Sequence, residues 1–171
     1  MANIRAANKA GSKIMGAFVV YDLPDRDCAA LASNGEFSLA NGGAAKYRAY
    51  IDSIAAQLKK YPDVRTALVI GMSGSLLDKG LASNGPTEPD SLGNLVTNLN
   101  VPKCQNAASA YRDGIAYAIK TLNLPNVAMY IDAGHAGWLG WQANLQPAAD
   151  LFAQVYKAAG SPKAVKGLVT K

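Results

Sequence analysis

Apolar residues run together in three short blocks: Ala17 to Tyr21 (AFVVY), Thr66 to Ile70 (TALVI) and Val127 to Ile131 (VAMYI). Each has strand length and a β-rich composition, and each is continuous where a half-solvated strand would alternate, so the pattern predicts parallel strands covered on both faces. Between them the period changes. Tyr47, Tyr50, Ile51, Ile54 and Leu58 recur at helical spacing, as do Tyr111, Ile115, Ala118, Ile119 and Leu122. A third helix is predicted to begin near Pro147, to run through Leu151, Val155 and Tyr156, and to stop at Gly160 before Pro162. A fourth strand is expected at Gly167 to Thr170. Strand and helix alternate, which predicts an α/β fold with a parallel sheet. A (β/α) barrel takes ~250 residues, so a chain of 171 supplies about half of one; on this pattern alone an open doubly wound sheet fits the length better.

Composition narrows the picture. With 50% hydrophobic and 17% charged residues the chain can bury a core as one domain. No apolar run reaches membrane-spanning length. The start, MANIRAANKAGSKIMG, has neither the apolar block nor the small-residue cleavage site of a secretory signal. The net charge of +5 is spread over helix faces and the last residues, with no basic run interleaved with aromatics, so a nucleic-acid groove is not expected. No Gly-rich phosphate fingerprint follows a strand, which argues against a nucleotide-binding sheet. Two cysteines, Cys28 and Cys104, leave a disulfide open and are too few for a structural zinc site.

The candidate chemistry sits after the strands. Asp22, Asp25 and Asp27 follow the first in YDLPDRDC, Glu88 and Asp90 lie some way after the second in EPDS, and Asp132 follows the third in DAGHAGWLGW. The C-terminal edge of a parallel sheet is where loops from several strands converge, so these carboxylates are expected around one cleft. His135, Trp138 and Trp141 lie among Gly134, Gly137 and Gly140. Flat rings and an imidazole suit a sugar, whose C–H faces are apolar and whose edges are polar; packing against the fold is the competing reading for both tryptophans. There is no second histidine to make a metal site of Asp132 and His135, and neither metal nor cofactor is expected.

Three stretches carry a family resemblance. VVYDLPDRDCAALASNG (residues 19–35) resembles the first signature of glycoside hydrolase family 6, EPDSLGNLVTNLNVPKC (88–104) its second, and NLPNVAMYIDAGHAGWLGW (123–141) a third characteristic stretch. The resemblance implies the amino-terminal half of a distorted, seven-stranded (β/α) barrel that hydrolyses β-1,4 bonds of cellulose with inversion, as a secreted cellobiohydrolase or endoglucanase. By motif, Asp90 corresponds to the general acid and Asp27 to the neighbour that keeps it protonated. Tyr21 and Arg26 match the site wall, His135 and Trp138 match sugar contacts, and Asp132 matches an acid that orders the site. Cys28 and Cys104 match a family disulfide. The implied partner is cellulose or its oligosaccharides, with no nucleic acid or membrane, and a monomer is the expected state.

The chain departs from the family at one place. Ile70 is followed by GMSGSLLDKGLASNGPT, seventeen residues (71–87) rich in Gly, Ser and Asn, before the EPD motif that the family strand enters directly. These positions are expected to form an inserted loop, the reading of an intron whose splice ends encode Gly-Met-Ser and Thr-Glu. A donor-like string after Lys171 fits the same idea. The truncated domain is expected to lack the residue that activates the hydrolytic water, and its half barrel to leave strand edges open.

Overall fold

The computed structural model describes residues 1–26, 28, 36–71, 101–134 and 139–170. Helix α1 (Ala2–Lys9) precedes strand β1 (Gly16–Val20); a 3-10 turn at Leu39–Asn41 leads into α2 (Gly43–Lys59) and β2 (Thr66–Ile70); α3 (Pro102–Thr121) leads to β3 (Val127–Asp132), and α4 (Gln142–Ala158) to β4 (Val165–Val169). All three pairings are parallel, and the strands lie side by side in chain order, β1-β2-β3-β4.

That order decides between the two architectures open to the sequence. A doubly wound sheet reverses direction at a switch point and carries helices on both faces. Here no reversal occurs, and α2 packs on α3 and α3 on α4, so the three crossover helices form one layer. The result is a singly wound half of a (β/α) barrel.

The core follows from two periods meeting. In α2 the buried positions are Gly43, Tyr47, Ile51, Ala55 and Leu58, one stripe at intervals of three and four. In α3 the stripe is Cys104, Ala107, Ala108, Tyr111, Gly114, Ile115, Ala118 and Ile119. Alternate strand residues, Val20, Leu68, Ile70, Met129 and Ile131, meet them as one hydrophobic cluster. The small residues of α3 bring it close. A Cβ on Gly114 would stand 2.9 Å from a Leu23 methyl and 3.2 Å from the Tyr47 ring.

Several element boundaries differ from expectation. β1 ends at Val20, one residue before Tyr21, and β4 starts two residues earlier than predicted. The helix expected from Pro147 starts at Gln142 and carries that proline in its second turn. Proline there removes the hydrogen bond to the Ala143 carbonyl. Both residues are exposed, so water can serve the freed oxygen.

Helix α1 was not foreseen, and its manner of docking shows why. It buries no residue of its own. Arg5 holds it, with the guanidinium paired to Asp63, a 2.8 Å hydrogen bond to the Lys60 carbonyl, and the Tyr61 ring 4.4 Å away. A helix that buries none of its own residues and is held largely by polar contacts of Arg5 and Asn8 leaves little apolar periodicity to detect.

Candidate active site

The described part of the candidate site lies along the C-terminal edge of the sheet. Register aligns Val20, Ile70 and Ile131, so Tyr21, Gly71 and Asp132 form the next row. Tyr21 and Asp132 are thus two strands apart, roughly 10 Å at the backbone.

The loop after β1 is built around Arg26. Its Nε donates to Asp22 Oδ1 at 2.9 Å, one Nη donates to the Tyr21 hydroxyl at 2.7 Å, and the guanidinium lies 4.7 Å from the Tyr21 ring centre. Asp22 and Arg26 are mostly buried, with 17% of each side chain exposed. A charge-assisted pair screened this far from water is stronger than a surface pair, and the planar guanidinium fixes direction as well as distance.

The backbone of the loop is turned hard. Asp22 and Asp25 have φ of 80° and 53°, the left-handed region that aspartate tolerates better than most side chains. Leu23 between them is fully buried and anchors the loop in the core. Asp25 Oδ1 accepts from the Leu39 backbone N–H at 3.2 Å, its own N–H donates to the Phe37 carbonyl at 2.7 Å, and its carbonyl accepts from the Tyr111 hydroxyl at 3.3 Å. Of the three acids after β1, Asp25 therefore shapes the turn, and Asp22 orients Arg26.

The disulfide between Cys28 and Cys104 closes the loop onto the first turn of α3, and Lys103 Nζ donates to the Arg26 carbonyl at 3.4 Å beside it. On the other side, burial pushes the Tyr50 phenol above its ordinary value; a hydrogen bond from the Tyr21 backbone opposes the shift, and the Asp22 charge adds to it. Asp132 ends β3 with 1% exposure, and its Oδ1 accepts from the Gly134 N–H at 3.2 Å.

Tyr21, Arg26 and Asp132 thus come to one sheet edge, and Cys28 and Cys104 are bonded to each other. Asp27, Asp90, His135 and Trp138 lie outside the described residues, as do residues 72–87 of the insert. Trp141, described, is 68% exposed and stands just before α4. Sequence reasoning did not single out Asp22 as the partner of Arg26; their separation of four residues was the available signal. An apolar cavity of about 410 Å³ lies elsewhere, between β1 and α2, lined by Phe18, Tyr50, Ile54 and Leu58 among others.

The family model described as glycosyl hydrolases family 6 matches residues 1–171. The chain belongs to glycosyl hydrolase family 6. It is 65% identical over 172 residues to a probable 1,4-beta-D-glucan cellobiohydrolase C of Aspergillus fumigatus, covering 99% of this chain and 34% of that protein. Exoglucanase 2 of Hypocrea jecorina is 61% identical over 170 residues, covering 99% of this chain and 32% of the relative. Among solved structures of family 6, the catalytic core domain of the cellobiohydrolase Cel6A from Chaetomium thermophilum superimposes with a TM-score of 0.85 at 60% identity, over 99% of this chain and 43% of that one. Cellobiohydrolase II (Cel6A) from Humicola insolens, in complex with glucose and cellotetraose, gives 0.85 at 56% identity, with the same two coverages. The chain therefore spans about a third of the length of the curated relatives it matches.

Proposed function

We propose that this chain carries the acid-bearing half of an inverting β-1,4-glucan hydrolase acting on cellulose and its oligosaccharides outside the cell. The observation that supports the reading is the Tyr21–Arg26–Asp22 cluster on the strand edge that also ends in Asp132, within a chain of family 6.

In this reading Asp90 protonates the glycosidic oxygen as the bond to the anomeric carbon breaks, and Asp27 keeps it protonated beforehand. Two carboxyls that approach each other do not both ionise readily, so one retains its proton at working pH. Arg26, committed to Asp22 and Tyr21, stiffens the wall from which Asp27 follows in the chain. Trp138 and His135 take the apolar face and a polar edge of a glucose unit, and Asp132 orders the site. Inversion needs a water on the opposite face, with its activating carboxyl about 6.5–9.5 Å from the acid. We assign that base to the part of the relatives' length that this chain does not span.

The test is hydrolysis of cellotetraose by the purified chain combined with the remaining part of a family 6 catalytic domain, which supplies the base, with the anomer of the new reducing end followed by NMR. The expected product is the α-anomer, and Asp90→Asn is expected to lower the rate by about 10²–10⁴. Turnover unaffected by that change refutes the assignment. The short coverage of the relatives favours a second reading, a family member without turnover that binds cello-oligosaccharides weakly through Trp138 and His135. Calorimetric binding of cellotetraose, lost in Trp138→Ala and accompanied by no hydrolysis, selects it. Residues 71–87 belong to the same proposal as an inserted loop read from an intron; a spliced transcript that retains their codons rejects that origin.

A further inference from the structure

The fold gathers a charge that the sequence scatters. Each of the four helices carries a lysine in its last turn, Lys9, Lys59, Lys120 and Lys157, and none has an acid in its first turn. Because the strands are all parallel, the helices between them end where the strands begin. α1 ends there too, since Arg5 reaches the Lys60 carbonyl and Asp63. The turns from helix to strand add Lys13, Lys60, Arg65 and Lys163, and all eight residues are exposed.

These turns form one surface. The Gly16 N–H donates to the Arg65 carbonyl at 3.0 Å, Asn126 Nδ2 donates to the Tyr61 and Val64 carbonyls at 3.1 and 3.0 Å, and the Met129 N–H donates to the Ala164 carbonyl at 2.7 Å. Among the described residues the acid at this end is Asp63, and Arg5 pairs with it. Helix dipoles account for only part of the lysines. Each C-terminus carries about −0.5 of a charge, so four of them offset about −2 and leave roughly +6. The whole chain has a net charge of +5, so the rest of the molecule is net acidic.

The make-up of the surface indicates what it takes. All its cations but Arg65 are lysines, compact hydrated charges without the planar fork that suits phosphate. No exposed aromatic ring lies among them in the described residues to stack a base: the Arg5 guanidinium sits 4.4 Å from the Tyr61 ring, and Trp141 stands at the other end of the sheet. The exposed apolar residues here, Ile14 and Met15, precede β1 alone, whereas the cations extend over all four turns, roughly 14 Å across the strands. A broad, cationic, ring-poor surface fits a hydrated polymer with regularly repeated carboxylates, and for a glycoside hydrolase that polymer is a polysaccharide.

We propose that this end of the sheet docks a polyuronate, a polysaccharide with one carboxylate on each sugar. The candidate site, roughly 17 Å away at the other ends of the same strands, then faces away from the polyanion, and its acids favour that orientation. The docking stands independently of whether the chain hydrolyses cellulose.

The experiment is calorimetric titration of the 171-residue chain with polygalacturonate, with the fully methyl-esterified polymer as the uncharged control. Binding is expected for the acid form alone. It should weaken about tenfold or more as salt rises from about 10 to about 100 mM, which shortens the screening length from about 30 to about 10 Å. Lys13→Gln, Lys60→Gln and Lys163→Gln together are expected to weaken binding about tenfold or more, with far-UV circular dichroism unchanged. Lys46→Gln, Arg48→Gln and Arg112→Gln remove the same net charge elsewhere and should change affinity less than about threefold. Equal losses in the two variants, equal binding of the esterified polymer, or no binding of the acid form at about 10 mM salt overturns the proposal. So does tighter binding, at the same salt, to duplex DNA or to phosphatidylserine vesicles. The salt and ester arms use the unaltered chain, so they decide even where a variant misfolds, and none of the arms depends on turnover of cellotetraose.

Discussion

Replacing Cys28 and Cys104 by serine tests how the loop after β1 is held. The bridge joins residues 76 apart in sequence, and among the described residues it is the covalent tie between that loop and α3. If it acts chiefly by restricting the unfolded chain, closing a loop of this size contributes about 4.5 kcal/mol at 25 °C. For a domain of 150–250 residues each kcal/mol shifts the melting temperature by roughly 2–4 °C, so the double serine variant is expected to melt about 9–18 °C lower. Serine leaves little extra volume to fill, but both cysteines are buried, so desolvation of the two hydroxyls adds to this loss. Urea unfolding followed by circular dichroism gives the free energy directly, and the same protein in a reducing agent serves as a second measurement. A midpoint unchanged within 2–3 °C by both routes would show that the loop is fixed by Leu23, Tyr111 and the Arg26 cluster alone, and the entropic argument would fail here.

The close approach of α3 makes Gly114→Val destabilising by about 1–3 kcal/mol through overpacking against Leu23 and Tyr47, whereas Gly114→Ala should sit near neutrality because about 1 kcal/mol of helix propensity offsets the clash; urea midpoints of the two variants check this. Arg5→Ala should release α1, read as loss of amide-exchange protection over residues 2–9. Acid should do the same. The hydrogen bond from Arg5 holds the Asp63 carboxyl below the ordinary value, so its contribution is present above the unfolded pKa of about 3.9 and is lost as pH falls through the lower folded value. Tyr50 shows the opposite sign at the alkaline end. Burial raises its pKa, so its contribution is complete below about pH 10 and is lost as pH rises through the higher folded value; ultraviolet titration should show late-ionising tyrosine absorbance that Tyr50→Phe reduces, the remainder including Tyr117, whose phenol is raised by its hydrogen bond to Asp52.

The strands and two of the helices were legible because their burial is periodic. Tyr47, Ile51 and Leu58 of α2, and Tyr111, Ile115 and Ile119 of α3, face a sheet whose alternate residues are equally apolar, so pattern and packing agree. What stayed illegible is whatever does not depend on an apolar stripe. α1 docks through Arg5, and the start of α4 runs through an exposed proline. The choice between a doubly wound sheet and a half barrel was hidden for a different reason. Both use the same strand and helix pattern, and they differ in strand order, which single-chain periodicity does not encode.

The site shows the same division at the level of single residues. Asp22, Asp25 and Asp27 have one composition and nearly one position, and counting carboxylates at the strand edge treats them alike. The structure separates the first two by their partners: Asp25 accepts a backbone N–H and sets a turn, while Asp22 accepts from Arg26. Both sit at positive φ, a conformation costing of order 1–3 kcal/mol that persists only where surrounding contacts over-determine it. Here those contacts are named: Leu23 in the core, the Tyr111 hydroxyl on the Asp25 carbonyl, and the Lys103 ammonium on the Arg26 carbonyl. All come from, or pack against, α3, the helix that Cys104 also joins. The loop after β1 is therefore set by α3 more than by its own strand, and a change in that helix reaches Tyr21 and Arg26 without touching either.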